Sequence, residues 1–254
     1  MSKRPGPSVI DSPREPSEAP FPYADYVRAS EALRAALAGP PCYAVVSAAS
    51  GMGKSTLLRG VVESLEGRTW VYLSSSRASI TNIVRYLARV LRVPAKRSNL
   101  ETLDEIAKSI RSQQPPRPAV VLVDEADRLT ADTLQEFRMI AECELQSEPL
   151  FSVVLSGLPS VSELLDTPIA FPLKRRIGVR CTLGGLRRDE LVPFLEHRFG
   201  GDVRRVPPAA HDELFERTQA APGLIDRILR SALAHTPGRL STDHVHAALD
   251  QAGI

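Results

Sequence analysis

A loop with the sequence Ala48-Ala49-Ser50-Gly51-Met52-Gly53-Lys54-Ser55-Thr56 lies between the apolar run 43–46 and a helical pattern over 57–62. A polyphosphate needs many hydrogen-bond donors at short range, and Gly51 and Gly53 let backbone N–H groups turn around it at the positive end of the following helix. The Lys54 ammonium would reach the outer phosphates, and the Ser55 hydroxyl would bind Mg²⁺. Ala48 stands where such loops usually have a glycine, a mild change because the closest approaches fall at the later glycines. We therefore predict a phosphate-binding loop in which residues 50–56 contact the ligand.

A second motif is the apolar run 119–123, which ends in Asp124 and Glu125. A strand buried on both faces of a parallel sheet is continuously apolar, so this run has the form of a Walker B strand. Asp124 at its carboxyl end can hold the Mg²⁺ hydration shell, and Glu125 can orient an attacking water. The alternative is a plain core strand with solvated acids at its end. Because both motifs occur in the expected order, we favour a Mg²⁺-dependent ATPase in which Lys54 and Glu125 are catalytic.

Length and composition set broad limits on the class of protein. At 254 residues, 43% of them hydrophobic, the chain is long enough for one α/β domain and a small helical one. The net charge of +2 and the pI near 8.5 are too mild to establish nucleic-acid binding. Cys42, Cys143 and Cys181 form no C-x-x-C pair, so we expect neither a zinc site nor a disulfide framework. No apolar run approaches the ~20 residues of a membrane span, and residues 1–5 lack a signal-peptide core, so we expect a cytoplasmic protein without a membrane partner.

Residues 1–20 are rich in proline, with serine, arginine and glutamate between the prolines. Such a composition cannot bury enough surface to offset its ordering entropy, so we predict a disordered tail. Further along, the patterning predicts helices over 26–37, 79–91, 101–112, 131–145, 211–220, 223–235 and 241–251, and strands over 69–73, 119–123 and 151–157. Strands alternate with helices up to residue 157 and helices follow from residue 208, which predicts an α/β fold with a central parallel sheet and a helical C-terminal region.

The predicted helix 79–91 carries a stripe of positive charge. Its apolar face consists of residues 80, 83, 84, 87 and 91. Arg85, Arg89 and Arg92 fall on the opposite face, with no acid in the row to neutralise them. Three further basic residues flank the helix: Arg77, Lys96 and Arg97. The stripe is either a solvated helix face or a surface that binds the phosphate backbone of double-stranded DNA, and we favour DNA binding.

Ser156 is the polar residue near the end of the predicted strand 151–157. A polar side chain at that point would lie beside the end of the Walker B strand and could sense the outermost phosphate. We therefore include Ser156 among the candidate catalytic residues. The competing interpretation is a plain turn residue before Gly157.

The segment Phe171-Pro172-Leu173-Lys174-Arg175-Arg176-Ile177-Gly178-Val179-Arg180-Cys181-Thr182-Leu183, followed by 185–191 and 196–198, carries a family resemblance. Together with the two nucleotide motifs, it resembles the bacterial AAA+ ATPases of the general-secretion-pathway A type and the related ATP-binding regulators of DNA transposition. The resemblance covers residues 21 to 252. It implies a three-layer P-loop AAA+ domain over 21–185 and a small helical lid domain over 186–254.

The resemblance also implies roles for arginines. In that family an arginine before a short fifth strand is the finger offered to the nucleotide of the neighbouring subunit, and by position this is Arg176, with Arg175 able to substitute. A planar guanidinium suits this task because it spreads charge over the developing phosphoryl oxygens. The alternative is a pair of solvated or phosphate-contacting arginines. The family often has a second sensor arginine just after a Gly-x-Pro; here Asp226 stands in that place, and Arg227 follows one residue later as a weaker nucleotide-binding candidate.

Two hypotheses for function follow from the resemblance. In the first, the chain forms ATP-dependent rings or filaments with itself on DNA, by a head-to-tail interface, and recruits or licenses a transposase. In the second, it is an ATP-dependent switch of secretion or signalling that acts on a protein partner without DNA. Secretion members of the family usually carry a transmembrane segment and a cell-wall-binding domain, which this sequence does not show. That difference and the arginine stripe favour the first hypothesis.

Overall fold

The computed structural model describes residues 19–74, 79–113, 119–130, 132–134, 151–200, 206–236 and 238–254. Three predictions fall wholly or largely outside this part of the chain: the disordered tail, Arg77, and most of the helix over 131–145.

Five strands are described: β1 (Tyr43–Ala48), β2 (Trp70–Ser74), β3 (Ala119–Asp124), β4 (Phe151–Gly157) and β5 (Ile177–Leu183). The helices of the first part of the chain are α1 (Ala24–Ala38), α2 (Lys54–Glu63), α3 (Ile80–Leu91), α4 (Asn99–Arg111), α5 (Ser160–Leu165) and α6 (Phe171–Lys174). Those of the last part are α7 (Leu191–Phe199), α8 (His211–Arg217), α9 (Pro222–His235) and α10 (Thr242–Gln251).

The strands form one sheet in the order β2-β3-β4-β1-β5, and the β2–β3, β3–β4 and β4–β1 pairs are parallel. Every residue of β4 and residues 119–123 of β3 are buried. Helices cover both faces of a parallel sheet, so a central strand is buried on both sides. This is why β3 and β4 are largely apolar. The predicted α/β fold with a central parallel sheet is confirmed.

The two faces of the sheet are lined by alternate residues of each strand. One face contributes Val71, Leu73, Val121 and Val123 to a buried core that also includes side chains of α3 and α4. The residues between them, among them Leu122, point to the opposite face, and α2 packs against β1, β3 and β4. The side chains of Asp124 and Ser156 also point to this opposite face, because each residue directly follows one whose side chain lies in the buried core, Val123 or Leu155.

The chain folds into two compact units. We call the first, Ala29–Ala48 with Lys54–Thr182, the sheet unit, and the second, 19–28 with Ala49–Gly53 and Leu183–Ile254, the helical unit. The loop 49–53 thus belongs to the helical unit, although it joins β1 to α2 in sequence. The division into domains at residue 185 stays a prediction.

The helical unit has its own core, formed where α10 packs on α8 and α9. Six of its fully buried residues are Leu195, Leu214, Ile225, Leu229, Val245 and Leu249. Phe21 packs edge-on against Phe194, with ring centroids 5.5 Å apart, and joins the N-terminal segment to this unit.

Helix ends follow local chemistry rather than apolar periodicity alone. The side chain of Ser98 accepts a hydrogen bond from the backbone N–H of Leu100, so α4 begins at Asn99, earlier than predicted. The predicted helix 211–220 ends at Arg217 instead, because Gln219 and Ala220 have φ angles of +52° and +56°, outside the helical range. Pro222 then starts α9, a position where its missing N–H costs nothing.

Candidate nucleotide-binding site

The loop 49–53 has a backbone that glycine makes possible. Gly51 and Gly53 have φ angles of +79° and +87°, a region that side chains disfavour. α2 begins at Lys54, directly after the second of these glycines. A helix N-terminus with backbone N–H groups turned by two glycines is the arrangement that binds phosphate. The two glycines singled out from the sequence are therefore needed for the backbone conformation of the loop.

Two carbonyl groups of this loop are held by other parts of the helical unit. The Tyr23 hydroxyl donates to the carbonyl oxygen of Met52 at 2.6 Å, and the Gly223 N–H donates to that of Gly51 at 2.8 Å. Burial, followed by the charge of Asp25, raises the pKa of Tyr23 well above its usual range, so the phenol remains a donor. These two bonds fix the backbone of the loop from its carbonyl side. Sequence reasoning missed both donors, because each is far from the loop in the chain.

Lys54 lies at the start of α2, and its ammonium donates to the carbonyl oxygen of Ala48 at 2.7 Å. Burial lowers the pKa of Lys54, and the carboxylates of Asp124 and Asp127 partly offset that effect. The ammonium therefore lies close to the carboxyl end of β1 and within the field of both acids. Ala48, the departure from the usual glycine, is buried there and supplies only its backbone oxygen.

Asp124 is the centre of a hydrogen-bonded cluster in the sheet unit. Its Oδ2 accepts from the Ser55 hydroxyl at 2.7 Å and from the Tyr72 hydroxyl. Its Oδ1 accepts from the Ser156 hydroxyl at 3.2 Å and from the N–H of Glu125 at 3.0 Å. The structure thus brings together the two predicted metal ligands, Ser55 and Asp124, and places Ser156 beside them. Ser156 is fully buried within β4, so it is not a turn residue.

The oxygen atoms of Ser55 and Asp124 fit Mg²⁺. This cation prefers hard oxygen ligands and is usually held by one or two protein oxygens together with waters and phosphates. Among the residues that the structure describes, no group of three or more His, Cys, Asp or Glu side chains is placed to hold a metal ion. The Ser55 hydroxyl in the first turn of α2 and the Asp124 carboxylate at the end of β3, with oxygen atoms 2.7 Å apart, could supply these one or two protein oxygens.

Glu125 follows β3 directly and has a φ angle of +54°, which is uncommon for a residue with a side chain. Its carboxylate lies on the surface, with Oε2 3.4 Å from Nη1 of Arg128. Strained backbone of this kind is often found at functional sites. The side chain is therefore accessible from solvent, and its predicted role in orienting water stays a prediction.

Asp127 is a further residue that sequence reasoning did not assign. Its Oδ1 accepts a hydrogen bond from the N–H of Leu158 at 2.9 Å, which ties the turn after β3 to the end of β4. This bond helps to set the distance between the strand ends that carry Asp124 and Ser156. The sequence signal was the last aspartate of Asp-Glu-Ala-Asp, but its hydrogen-bond partner depends on the order of the strands in the sheet.

Arg175 and Arg176 lie in the turn between α6 and β5, and both are exposed. The guanidinium of Arg175 lies over the ring of Phe171, 5.9 Å from its centroid. Both arginines therefore face away from the core of their own chain. Their assignment as a finger stays a prediction.

The arginine stripe of α3 is exposed as predicted. Arg85, Arg89 and Arg92 are exposed, whereas Ile83 and Leu87 are buried. None of the three arginines forms an ion pair with another residue of the described chain. Lys96 and Arg97, after the helix, are also exposed.

Arg227 is exposed on α9, one helical turn beyond Gly223. Asp226 accepts hydrogen bonds from the Nε atoms of Arg198 and Arg230, each at 3.0 Å. Asp226 is thus engaged within the helical unit, whereas the backbone N–H of Gly223 donates to the phosphate-binding loop. The role of Arg227 in nucleotide binding stays a prediction.

Comparison with known families finds that residues 42–165 match the model of the AAA domain. This range begins just before β1 and ends with α5, so it contains Lys54, Ser55, Asp124 and Ser156. A curated relative is the general secretion pathway protein A of Aeromonas hydrophila, 26% identical over 216 residues that cover 80% of this chain and 40% of that protein. The match and this relative confirm the predicted resemblance to bacterial AAA+ ATPases of the general-secretion-pathway A type.

Two solved structures are similar to this chain in fold. The first is Cdc6p of Pyrobaculum aerophilum, with a TM-score of 0.65 and 18% identity, covering 94% of this chain and 65% of that chain. The second is the ORC1 protein of Aeropyrum pernix in complex with DNA, with a TM-score of 0.61 and 18% identity, covering 90% of this chain and 64% of that chain. At 18% identity this likeness shows the fold alone. The matched part of this chain covers less than two thirds of the length of each of these two proteins, and 40% of the length of the curated relative.

None of the helices in the described part of the chain is both long enough and apolar enough to span a membrane.

Proposed function

We propose that this AAA-domain chain binds and slowly hydrolyses Mg-ATP, assembles with itself in response to ATP, and acts on DNA in the regulation of transposition. The observation that carries the nucleotide part is the bond between the Ser55 hydroxyl and Oδ2 of Asp124, formed at the first turn of α2 directly after a glycine loop. A plain core strand with solvated acids would not require its terminal carboxylate to hold a serine of the phosphate-binding loop.

Each residue of the cluster would have a separate task. Backbone N–H groups of 51–53 and the ammonium of Lys54 would bind the phosphates, while Ser50 and Thr56 flank this contact. Ser55 and Asp124 would hold Mg²⁺, which when bound offsets the negative charge of the phosphates. Lys54 at present donates to the carbonyl oxygen of Ala48, and a phosphate oxygen would replace that acceptor.

Hydrolysis would depend on the two residues next to Asp124. Glu125 would accept a hydrogen bond from the attacking water and orient it toward the outermost phosphate, after leaving its surface contact with Arg128. Ser156 donates to Asp124 at 3.2 Å, and its position gives it a route to sense whether that phosphate is present. A single chain would turn over slowly, because by this proposal the arginine that stabilises the developing charge comes from a second copy.

That arginine would come from a second copy of the chain. Arg176 lies in an exposed turn and carries a charge that suits the phosphoryl oxygens of a nucleotide bound elsewhere. An interface of this kind joins unlike surfaces of identical chains, so it builds rings or open filaments. ATP would then favour assembly, because the bound nucleotide is part of the interface. Arg175 can substitute in this role.

The DNA part of the proposal is supported by the exposed stripe Arg85, Arg89 and Arg92, extended by Lys96 and Arg97. These guanidinium and ammonium groups suit the phosphate backbone of double-stranded DNA, and such contacts carry little sequence information. Assembly on target DNA would allow the chain to recruit or license a transposase. Because both ATP and target DNA are present in the bacterial cytoplasm, we propose that the chain acts there.

A second candidate function is favoured by a different observation. The curated relative is named for the general secretion pathway, and it shares 26% identity with this chain. By this proposal the same ATP site would drive a switch that acts on a protein partner of secretion or signalling, with no DNA involved. The two candidates share the nucleotide chemistry and differ in what ATP controls.

One experiment tests the proposal and separates the candidates. Binding of ATP and of a DNA duplex is measured for the parent and for Lys54→Ala, with ATP, ADP or no nucleotide, at several salt concentrations. We expect the parent to bind ATP and to bind DNA more tightly with ATP, and Lys54→Ala to lose both effects. A parent that binds no ATP would overturn the nucleotide assignment. A parent that hydrolyses ATP but binds no DNA under any condition would favour the second candidate.

A further inference from the structure

Tyr72 lies on β2, an edge strand of the sheet, next to the strand that ends in Asp124. In the β2–β3 pair, Tyr72 is opposite Leu122 and Ser74 is opposite Asp124. Val71 and Leu73 belong to the core on one face, so Tyr72 projects to the other face, which it shares with Leu122 and Asp124. Register and alternation therefore bring its hydroxyl to the Asp124 carboxylate, where it donates to Oδ2.

Four hydrogen-bond donors contact the Asp124 carboxylate. Ser156 and the N–H of Glu125 donate to Oδ1, and Ser55 and Tyr72 donate to Oδ2. With two donors on each oxygen, the carboxylate cannot rotate without breaking a bond. The Ser55 hydroxyl donates its hydrogen to Oδ2 of Asp124, so the lone pairs of its oxygen can coordinate a cation.

We propose that Tyr72 is a positioning residue of the divalent-cation site: its hydroxyl holds the Asp124 carboxylate so that Ser55 presents a lone pair to Mg²⁺. This inference rests on the proposed function, because it assumes that Ser55 and Asp124 hold the cation. Groups that orient metal ligands through hydrogen bonds typically change metal affinity or activity by about 10- to 100-fold when they are removed. By this proposal Tyr72 acts on the cation site, through Asp124, and not on the phosphates.

A merely structural role makes a different prediction. In that case the hydroxyl only strengthens the attachment of the edge strand, and its loss lowers stability without changing the demand for Mg²⁺. The two roles are therefore separated by the Mg²⁺ concentration that gives half-maximal turnover, measured beside the unfolding temperature. Binding of Mn²⁺ to the ATP-bound protein gives the same information without turnover.

The test variant is Tyr72→Phe, which keeps the ring and removes one hydroxyl. The matched control is Tyr86→Phe on α3, which makes the same chemical change at a partly buried tyrosine packed against the core of the sheet unit. We expect Tyr72→Phe to bind ATP without Mg²⁺ as tightly as the parent. We also expect it to need roughly tenfold more Mg²⁺ for half-maximal turnover and to bind Mn²⁺ correspondingly more weakly. Tyr86→Phe should match the parent in all three measurements.

Tyr72→Phe with the parent's requirement for Mg²⁺ and affinity for Mn²⁺ overturns the inference, whatever its unfolding temperature. Ser55→Ala is measured alongside, because it removes the proposed ligand itself. If Ser55→Ala loses Mg²⁺-dependent turnover while Tyr72→Phe does not change, the proposed function stands and only the role of Tyr72 fails. If the parent has no Mg²⁺-dependent turnover and binds no Mn²⁺ with ATP, the proposed function fails, and the role of Tyr72 fails with it.

Discussion

The backbone N–H of Gly223 donates to the carbonyl oxygen of Gly51 at 2.8 Å. Gly51 is the residue of the phosphate-binding loop with a φ angle of +79°, and Gly223 is in the first turn of α9. The two are far apart in sequence, and both belong to the helical unit. A loop whose shape depends on such a contact is sensitive to changes in α9.

Gly223→Ala is therefore expected to weaken nucleotide binding. A Cβ atom at this position would lie 2.8 Å from the carbonyl oxygen of Gly51 and 3.3 Å from its Cα, so the loop or the helix must shift. Overpacking of this kind costs about 1–3 kcal/mol, which corresponds to a roughly 5- to 150-fold loss of ATP affinity if the shift of the loop carries the whole cost. The measurement is an ATP titration. Gly178→Ala on β5 is the control, because a Cβ there meets nothing within 4 Å; equal affinities in the two variants would contradict the expectation.

Arg176→Ala is expected to reduce hydrolysis and ATP-dependent self-association while leaving ATP binding by a single chain intact. The physical reason is that the guanidinium would act on the nucleotide of another copy, so its removal lowers turnover only in the assembled state. Arginines supplied in this way change turnover by about 10³- to 10⁵-fold. Light scattering and steady-state hydrolysis are measured with ATP and DNA, with Arg180→Ala, an exposed arginine of β5, as control. Full activity of Arg176→Ala, or a monomer in every condition, would count against the idea.

The stability of the helical unit should fall with acid because of His211. Burial, followed by the charge of Arg188, lowers the pKa of His211, and no partner for its buried Nε2 is found in the described residues. The unfolded imidazole titrates near pH 6.5, so the stability gained by a neutral His211 is fully present above about pH 6.5 and is lost as the pH falls below it. Between about pH 7.5 and about pH 5.5, the unfolding temperature of His211→Gln should fall less than that of the parent.

A suitable control for this measurement is His235→Gln, at the exposed end of α9. It removes a histidine that is not buried, so its unfolding temperature should follow the parent across the same range. If His211→Gln instead shows the same dependence on pH as the parent, then the buried imidazole does not set the acid sensitivity.

The parts of the site that are predictable from sequence are those carried by short motifs. Gly51, Gly53, Lys54 and Ser55 follow one another closely, and a strand that ends in Asp124 can be recognised by its continuous apolar run. The position of Ser156 beside Asp124 could also be predicted from sequence, because the carboxyl ends of neighbouring parallel strands lie at one edge of a sheet. These are consequences of chain order and side-chain period.

Contacts between segments that are far apart in the chain could not be predicted from sequence. The bond from Tyr72 to Asp124 requires the register of β2 against β3, and that of Asp127 to Leu158 requires β3 beside β4. Tyr23 and Gly223 reach the loop only through tertiary packing of the helical unit. The predicted helix 211–220 was too long because Gln219 and Ala220 have positive φ angles, and residues other than glycine give no sequence signal for that conformation.

The prediction on DNA concerns the stripe of α3. Arg85, Arg89 and Arg92 are four and three residues apart, so they project from one side of the helix, and the buried Ile83 and Leu87 hold the other side against the core. The three guanidinium groups are thus available to a phosphate backbone without any change in the fold. Assembly with ATP would place many such stripes along one duplex, which links their binding and strengthens it.

Replacing Arg85, Arg89 and Arg92 together by alanine should weaken duplex binding with ATP and make it less dependent on salt. Each phosphate contact that is lost lowers the slope of log K against log salt by about 0.9, so up to three such steps are expected. The control replaces three other exposed arginines, Arg34, Arg111 and Arg180, and removes the same net charge. Both variants must still fold and hydrolyse ATP. If the control loses as much affinity and slope as the stripe variant, net charge alone drives binding; if neither changes, the stripe is a solvated helix face.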